Sequence, residues 1–424
     1  MGMKITVFKL MAFVALVILG VAEAGAQNVR FEEWFTGGTL RIDCLREGSA
    51  QGDTVWVEHW YDRQAPWHGS RTQLIDPFDN GDYRVVMRDA ETGRELYSRG
   101  YSNLFREYKD TPEGKNTAKR FEETLLVPMP KGKVMIAFQK RDKDMKLYDQ
   151  TVVFFEGVKG SEKGVKEEEV QWTSGQSGCE AEKANGKDVS TKFDVAFVMQ
   201  GFDGVGEEEY QKVCERMRGV LFGKEPFKSH REDFNLYFVK GDDGVEYNTF
   251  GADRYAMTFK VWQLHDVLGT TPCDHIIIVL NNEKYGGGAI YNFYSVTSLH
   301  KMAENVLPHE LGHGIGGLAD EYVDEDLSYA DLHRTQYEPL EPNITNLVDF
   351  PSKWQSLLPA GTLVPTPDAE VSRTENGPLG VYEGAGYSSK GVYRPAMHCM
   401  MRDYAPFCPV CRQRLEAVIK MYTR

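Results

Sequence analysis

Between residues 28 and 155 apolar and polar positions alternate in short runs: TLRIDCL, TVWVEHWY, YRVVMRD, RELYSRGY, RFEETLLVP, KVMIAFQKRD and LYDQTVVFF. A period of two over such lengths marks half-buried strands. DNGD (79–82) and DAETGRE (89–95) read as hairpin turns between them. The spacing predicts an all-β sandwich over residues 27–155. His59, His68, Trp56, Trp60 and Trp67 gather here as a candidate ligand-binding face, although aromatics on strands more often fill a core.

The alternation then stops. Residues 156–188, EGVKGSEKGVKEEEVQWTSGQSGCEAEKANGKD, are dominated by charge, glycine and serine, and an interdomain linker is expected over 156–190. Beyond it, FDVAFVMQGF (193–202), FNLYFVKGDD (234–243) and HIIIVLNN (275–282) are continuous apolar runs of the kind that form strands buried on both faces. EEEYQKVCERMRGVLF carries Tyr210, Val213, Met217 and Val220–Leu221 at helical spacing, and a second helical stretch is expected around Ala252–Leu268. YGGGAIYNFYSV (285–296) predicts an edge strand, Gly288–Val296, leading into a helix. CPVCRQRLEAVIKMY predicts a terminal amphipathic helix. The chain thus reads as multidomain, with an N-terminal all-β sandwich followed by an α/β domain over 191–424.

Composition narrows the role. Hydrophobic residues at 41% supply real cores, and a net charge of −14 argues against neutralising phosphates, so no nucleic-acid partner is expected. Residues 1–26 have Lys4 and Lys9, an apolar run from Leu10 to Ala22, then small residues at Ala22, Ala24 and Ala26. That is the pattern of a secretory signal peptide, cleaved after Ala26 or Ala24. The run is short of the roughly 20 residues that span a bilayer. The expected address is exported (periplasmic, cell-surface or extracellular), with no membrane span after cleavage. Seven cysteines are an odd number for an exported chain, so at least one thiol stays free. Cys408 and Cys411 form a CPVC pair near Cys399, which reads as a local disulfide or packed thiols, since a zinc ribbon needs two such pairs.

The candidate chemistry lies in PHELGHGIGGLADEYVDED, residues 308–326. Residues four apart share a helix face, so His309 and His313 can hold one ion. Zn²⁺ suits two imidazoles and a third protein ligand, with the fourth tetrahedral position left for water. Glu310, about 100° round the helix, is placed to act as general base on that water. GIGG ends the helix, because glycine adopts the left-handed C-cap readily. The turn can return Asp320 as third ligand, with Glu321 as its competitor. A ligating glutamate further on, Glu338 or Glu341, would need a helix that YEPLEPN does not suggest. Pro308 implies a kink, or a helix that starts there. Asp324, Glu325 and Asp326 are a candidate structural Ca²⁺ site, against the plainer reading of a solvated acidic loop.

HELGHGIGGLADEY, followed by GVYRPAMHCMMRDYAPFCPVC, resembles the IgA peptidase family M64 of metzincin-like zinc metallopeptidases. The resemblance covers about 190–424, and the β-sandwich is similar to the domain that precedes this peptidase in the family. It implies His309, His313 and Asp320 as zinc ligands and Glu310 as base. It departs from HExxHxxGxxH, because Ala319 stands where a third histidine would fall and Asp320 comes one place later. It favours Met400 and Met401 as the methionine turn beneath the metal, with Tyr387, Tyr393 and Arg394 as candidate substrate or oxyanion contacts. By analogy with metzincins, the edge strand would pair with an extended peptide.

The expected function is an exported zinc endopeptidase acting on a protein or peptide substrate, which the family name suggests is host immunoglobulin or another extracellular protein. Two alternatives stand beside it. One is a surface glycan- or protein-binding module whose peptidase fold is vestigial. The other keeps the metal but trims chain ends or removes acetyl groups.

Overall fold

The computed structural model describes residues 29–156, 170–172, 189–241, 244–325, 333, 335–368 and 371–423. The expected signal peptide, most of the expected linker with Cys179, and Asp326 lie outside these residues. The seven alternating runs form β1 (Phe35–Ser49), β2 (Gly52–Pro66), β3 (Tyr83–Asp89), β4 (Glu95–Tyr101), β5 (Lys119–Pro130), β6 (Val134–Arg141) and β7 (Leu147–Phe155). They divide into two sheets. One has the order β5-β1-β2, extended by β8 (Val170–Trp172), which runs parallel to β2; the other has the order β4-β3-β6-β7. Inward residues of both, such as Leu40, Ile42, Val85, Met87, Ile136 and Phe138, meet in one apolar core.

DAETGRE joins the paired strands β3 and β4. DNGD does not join a hairpin, because β2 and β3 belong to different sheets. The aromatic group does not form a binding face either. Trp60, Trp67 and His68 are buried, and His68 Nδ1 hydrogen-bonds Asp274 Oδ1 at 3.0 Å.

The C-terminal region is built on a five-stranded sheet. β9 (Phe193–Gln200), β10 (Phe234–Lys240), β11 (His275–Leu280) and β13 (Tyr294–Ser298) are parallel, and β12 (Gly287–Ile290) closes one edge antiparallel to β13. The order is β10-β9-β11-β13-β12. The expected single strand Gly288–Val296 is therefore a hairpin. It turns at Asn292, whose φ is 52°, with Phe293 N–H donating to Ile290 O at 3.1 Å. Five helices matter for the site: α1 (Glu207–Leu221), α2 (Val261–Leu268), α3 (Ala303–Gly314), α4 (Met400–Asp403) and α5 (Pro409–Tyr422). Only the second half of the stretch expected around Ala252–Leu268 is helical. Residues before it pair as extended chain, Met257 with Glu246 and Tyr255 with Gly287. Among the described residues no helix is long and apolar enough to cross a membrane.

The two regions share a core. One apolar cluster runs from Phe31 through the sandwich to Leu264 of α2, Ile278 of β11 and Val296 of β13. Buried arginines of the sandwich hold α2 at both ends, Arg63 at its C-terminal end, where carbonyls lack helical partners, and Arg41 at its first turn and Asp266. Arg63 donates to Gly269 O from Nε at 3.0 Å and from Nη2 at 2.6 Å, and to Thr271 O at 2.9 Å. Arg41 reaches Asp266 Oδ1 at 2.6 Å and Trp262 O at 3.0 Å. The β-sheet region is thus a wall of the C-terminal region, not an appended module.

Candidate metal centre and substrate cleft

α3 packs across β12 and β13 and buries Ala303, Val306, Leu307 and Leu311. Pro308 lies inside it, so the helix neither starts nor stops there. The bond its missing N–H forfeits is outweighed by that burial. After Gly314 the chain turns at Gly317, whose φ of +58° only glycine adopts freely, and Gly317 N–H donates to His313 O at 3.0 Å. The turn is also clamped from the sandwich, where Asn80 Nδ2 donates to Gly317 O at 3.3 Å. A Cβ on Gly317 would lie 2.0 Å from that nitrogen.

This geometry brings three side chains together. His309 Nε2 and His313 Nε2 are 3.2 Å apart, and Asp320 Oδ1 is 3.1 Å from the first and 3.4 Å from the second. Three ligand atoms about 2.05 Å from one tetrahedral zinc would lie about 3.3 Å from each other, so the set fits. The outer atoms are already committed. His309 Nδ1–H donates to Met400 O at 3.0 Å and His313 Nδ1–H to Leu318 O at 2.7 Å, which turns both Nε2 atoms inward. Tyr387 O–H donates to Asp320 Oδ2 at 2.5 Å, while Oδ1 is buried with no hydrogen-bond donor of its own. That orphaned oxygen, facing two imidazole nitrogens, is the observation that fits a cation.

The charges agree. Burial disfavours ionised Asp320, yet the imidazoles of His313 and His309 win and hold its carboxyl well below the usual range. Burial likewise opposes protonation of His313, but Asp320, then Glu310, lift it to about 9. His309 is raised as well, against burial, by the same carboxylate. The metal-free triad therefore holds a proton that a cation would displace. Glu310 lies beside the triad, its carboxyl raised chiefly by burial. A Cβ on Gly287 would lie 2.7 Å from Val296 O and 3.2 Å from Glu310 Oε1, so glycine is what lets the edge strand β12 pass this close to β13 and Glu310.

The triad opens into a cleft of about 820 Å³. β12, Arg254 and, from the sandwich region, Arg106, Glu107 and Lys109 are among the residues that line it.

A family model described as peptidase M64 N-terminus matches residues 30–151, and one described as IgA peptidase M64 matches residues 240–377 and 371–419. The chain belongs to the peptidase M64 family. No curated protein matches it. The family makes it a peptidase, with a protein substrate, and its plan is a sheet-rich N-terminal region followed by a mixed α/β region.

Within this M64 peptidase the other residues singled out from the sequence fall in different places. Met400 acts through its carbonyl on His309, and Met401 Sδ packs against α3 at Gly312. Tyr387 is in the cleft, on Asp320. Tyr393 and Arg394 are not in the cleft. They belong to β15 (Ser388–Arg394), which pairs with β14 (Tyr382–Ala385), and Arg394 is buried with Nη1 donating to Glu383 O and Gly384 O at 2.5 and 2.6 Å. Glu321 points away from the triad toward Cys411. Glu338 and Glu341 line the cleft but not on a helix. In the acidic loop, Glu325 Oε1 accepts the N–H of Ser389 at 2.7 Å.

Two cleft pairs, Tyr404 with Tyr285 and Glu107 with Tyr255, had no place in the sequence expectations. Tyr404 follows α4 with φ 64°, sets its ring edge-on to His309 with 5.6 Å between centroids, and shares a hydrogen bond with Tyr285 at 2.7 Å. Its position just after the methionine pair is the signal that could have marked it. Glu107, pushed up to about 7 by burial, accepts from Tyr255 O–H at 2.8 Å. Nothing local in the sequence marks Glu107, because its partners are about 150 residues away.

Proposed function

We propose that this peptidase is an exported zinc endopeptidase of metzincin-like plan, cutting extended protein segments. The observation that carries the reading is the His309–His313–Asp320 triad, with inward-facing Nε2 atoms, an orphaned carboxylate oxygen and Glu310 alongside. His309, His313 and Asp320 would hold the ion. Zinc, when bound, supplies Lewis acidity that acidifies water and polarises a peptide carbonyl.

The chain's own residues do the rest. Glu310 takes a proton from the attacking water and passes it to the leaving amine, a task suited to a carboxyl whose affinity for protons is already raised by burial. Tyr387 and the carbonyls of Met400 and Leu318 fix the ligands in rotamer and tautomer. Tyr404, beside His309, is placed to donate its O–H to the carbonyl oxygen as negative charge develops there.

Substrate orientation follows from β12. Gly287 already uses its outward N–H and C=O on Arg254 O and Ala256 N–H, both at 3.1 Å. By the alternation of antiparallel pairing, Ala289 presents the next outward N–H and C=O to the cleft. An extended peptide bonded there would pass in front of Glu310. The antiparallel edge strand and the methionine pair beneath the triad support the metzincin-like plan.

Incubating the zinc-loaded chain with a library of unstructured peptides, and mapping products by mass spectrometry, tests this. Internal cuts that stop on chelation and return with zinc are expected. Trimming from chain ends alone would contradict the endopeptidase reading.

A further inference from the structure

Directly behind the triad lies a second cluster of metal-ligating groups. Cys399, Cys408, Cys411 and Glu321 are completely buried, and one ligand atom from each lies within 4.8 Å of all the others. Cys399 immediately precedes α4, Cys408 is the N-cap of α5 and Cys411 sits in that helix's first turn. Cys399 Sγ is 3.7 Å from Cys411 Sγ, and Cys411 Sγ is 3.2 Å from Glu321 Oε1.

These spacings decide between three states of the thiols. A disulfide needs about 2.05 Å between sulfurs. Two thiolates about 2.3 Å from one tetrahedral ion lie about 3.8 Å apart, and a thiolate and a carboxylate oxygen about 3.5 Å apart. The observed distances match the second case. Simple packed thiols would leave Glu321 unexplained. Its Oε1 accepts from Asn343 Nδ2 at 2.9 Å, but its Oε2 is buried with no hydrogen-bond partner. A buried carboxyl oxygen without a partner is costly, and a cation held beside Oε1 would offset that cost. Burial raises the Cys399 and Cys411 thiols, and the Cys408 N–H donated to Cys399 Sγ at 3.3 Å, with the N-terminal end of α5 facing the cluster, works against that rise.

We propose that Cys399, Cys408, Cys411 and Glu321 bind a second metal ion, a zinc held by four protein ligands with no open position. Three thiolates select a soft divalent ion over calcium or magnesium, and a closed four-ligand shell is structural, not hydrolytic. Its ligands adjoin the hydrolytic centre in the chain. Glu321 follows Asp320, and Cys399 precedes Met400, whose carbonyl receives the His309 Nδ1–H. Glu321 N–H donates to Met401 O at 2.8 Å, tying the two segments together. The second ion thus locks the backbone that presents Asp320 and the Met400 carbonyl. It stands on its own geometry and does not rest on the proposed hydrolysis.

Cobalt titration of the metal-free full chain tests it. Two Co²⁺ per chain are expected, with a sulfur-to-cobalt charge-transfer band in the near ultraviolet that a two-histidine, one-carboxylate site cannot give. The double variant His309→Ala, His313→Ala should bind one Co²⁺ and keep the band, whatever becomes of peptidase activity. Cys408→Ser should bind one and lose most of the band. Should that variant fail to fold, the wild type decides. Alkylation of the freshly isolated, metal-loaded chain in denaturant, without reductant, should modify all three cysteines. One Co²⁺ with no charge-transfer band, or a disulfide among these three cysteines, would overturn the assignment.

Discussion

Metal binding at the proposed His309–His313–Asp320 triad should be paid for in protons, and Asp320 sets how many. In the metal-free chain Asp320 and Glu310 raise His313 to about 9, so this imidazole is almost wholly protonated at neutral pH. A metal needs it neutral. Two pH units below that value, deprotonation costs about 3 kcal/mol. Apparent zinc affinity should therefore rise about tenfold per pH unit between pH 7 and 9 from this group alone. His309, also raised, can only steepen the slope. Competition against a chromophoric chelator, corrected for the chelator's own protonation, measures the slope. Calorimetry in two buffers of different ionisation enthalpy counts the protons released. Asp320→Asn removes the carboxylate while burial still disfavours the charged imidazoles, so it should weaken zinc and also cut the proton release. Affinity independent of pH across this range, or equal proton release from the variant, would refute the electrostatic account.

Further outcomes follow from the same structure. Without metal, the raised His313 contributes stability that is fully present below about pH 6.5 and is lost as pH rises through 9, about 3 kcal/mol in all. Thermal melts of metal-free protein should fall across that window, and zinc should abolish the fall. Tyr387→Phe removes the hydrogen bond to Asp320 Oδ2 and should weaken zinc about 10- to 100-fold, read by chelator competition, with the fold's melting profile intact. Arg46 is fully buried between Glu123 and Asp53 and lies over the Tyr83 ring; Arg46→Met should cost about 3–5 kcal/mol in denaturant unfolding by leaving those carboxylates unpaired. Residues 191–424 expressed alone should be insoluble, because the shared core and the caps on α2 are lost; a soluble, cooperatively melting fragment would contradict the joint core.

Ten strands, β1 to β7 and β9 to β11, were legible because their signals are local, whereas the β12–β13 hairpin read as one strand and β14 and β15 were not marked. Period-two alternation marks β1 to β7, and continuous apolar runs mark β9, β10 and β11. His309, Glu310 and His313 follow from helix spacing. Asp320 required one further step, that glycine at 317 reverses the chain. What escaped is what depends on distant contact. Arg63 on the α2 carbonyls, Asn80 on Gly317 and Glu107 in the cleft each join residues about 150 to 240 apart in sequence. Tyr393 and Arg394 fall outside the cleft because they lie at the far end of β15 from Tyr387, and spacing alone does not show which end of that strand meets the site. The CPVC pair looked incomplete as a metal site, since its other partners, Glu321 and Cys399, stand elsewhere in the chain.

The most direct test of the central claim is Glu310→Gln, a change of one carboxylate oxygen to an amide beside an untouched triad. Metal content and internal peptide cleavage are measured on the same preparations of wild type and variant. The proposed mechanism predicts unchanged zinc and cleavage reduced at least about a hundredfold, the usual worth of a general base. Full cleavage by the zinc-loaded variant would contradict it.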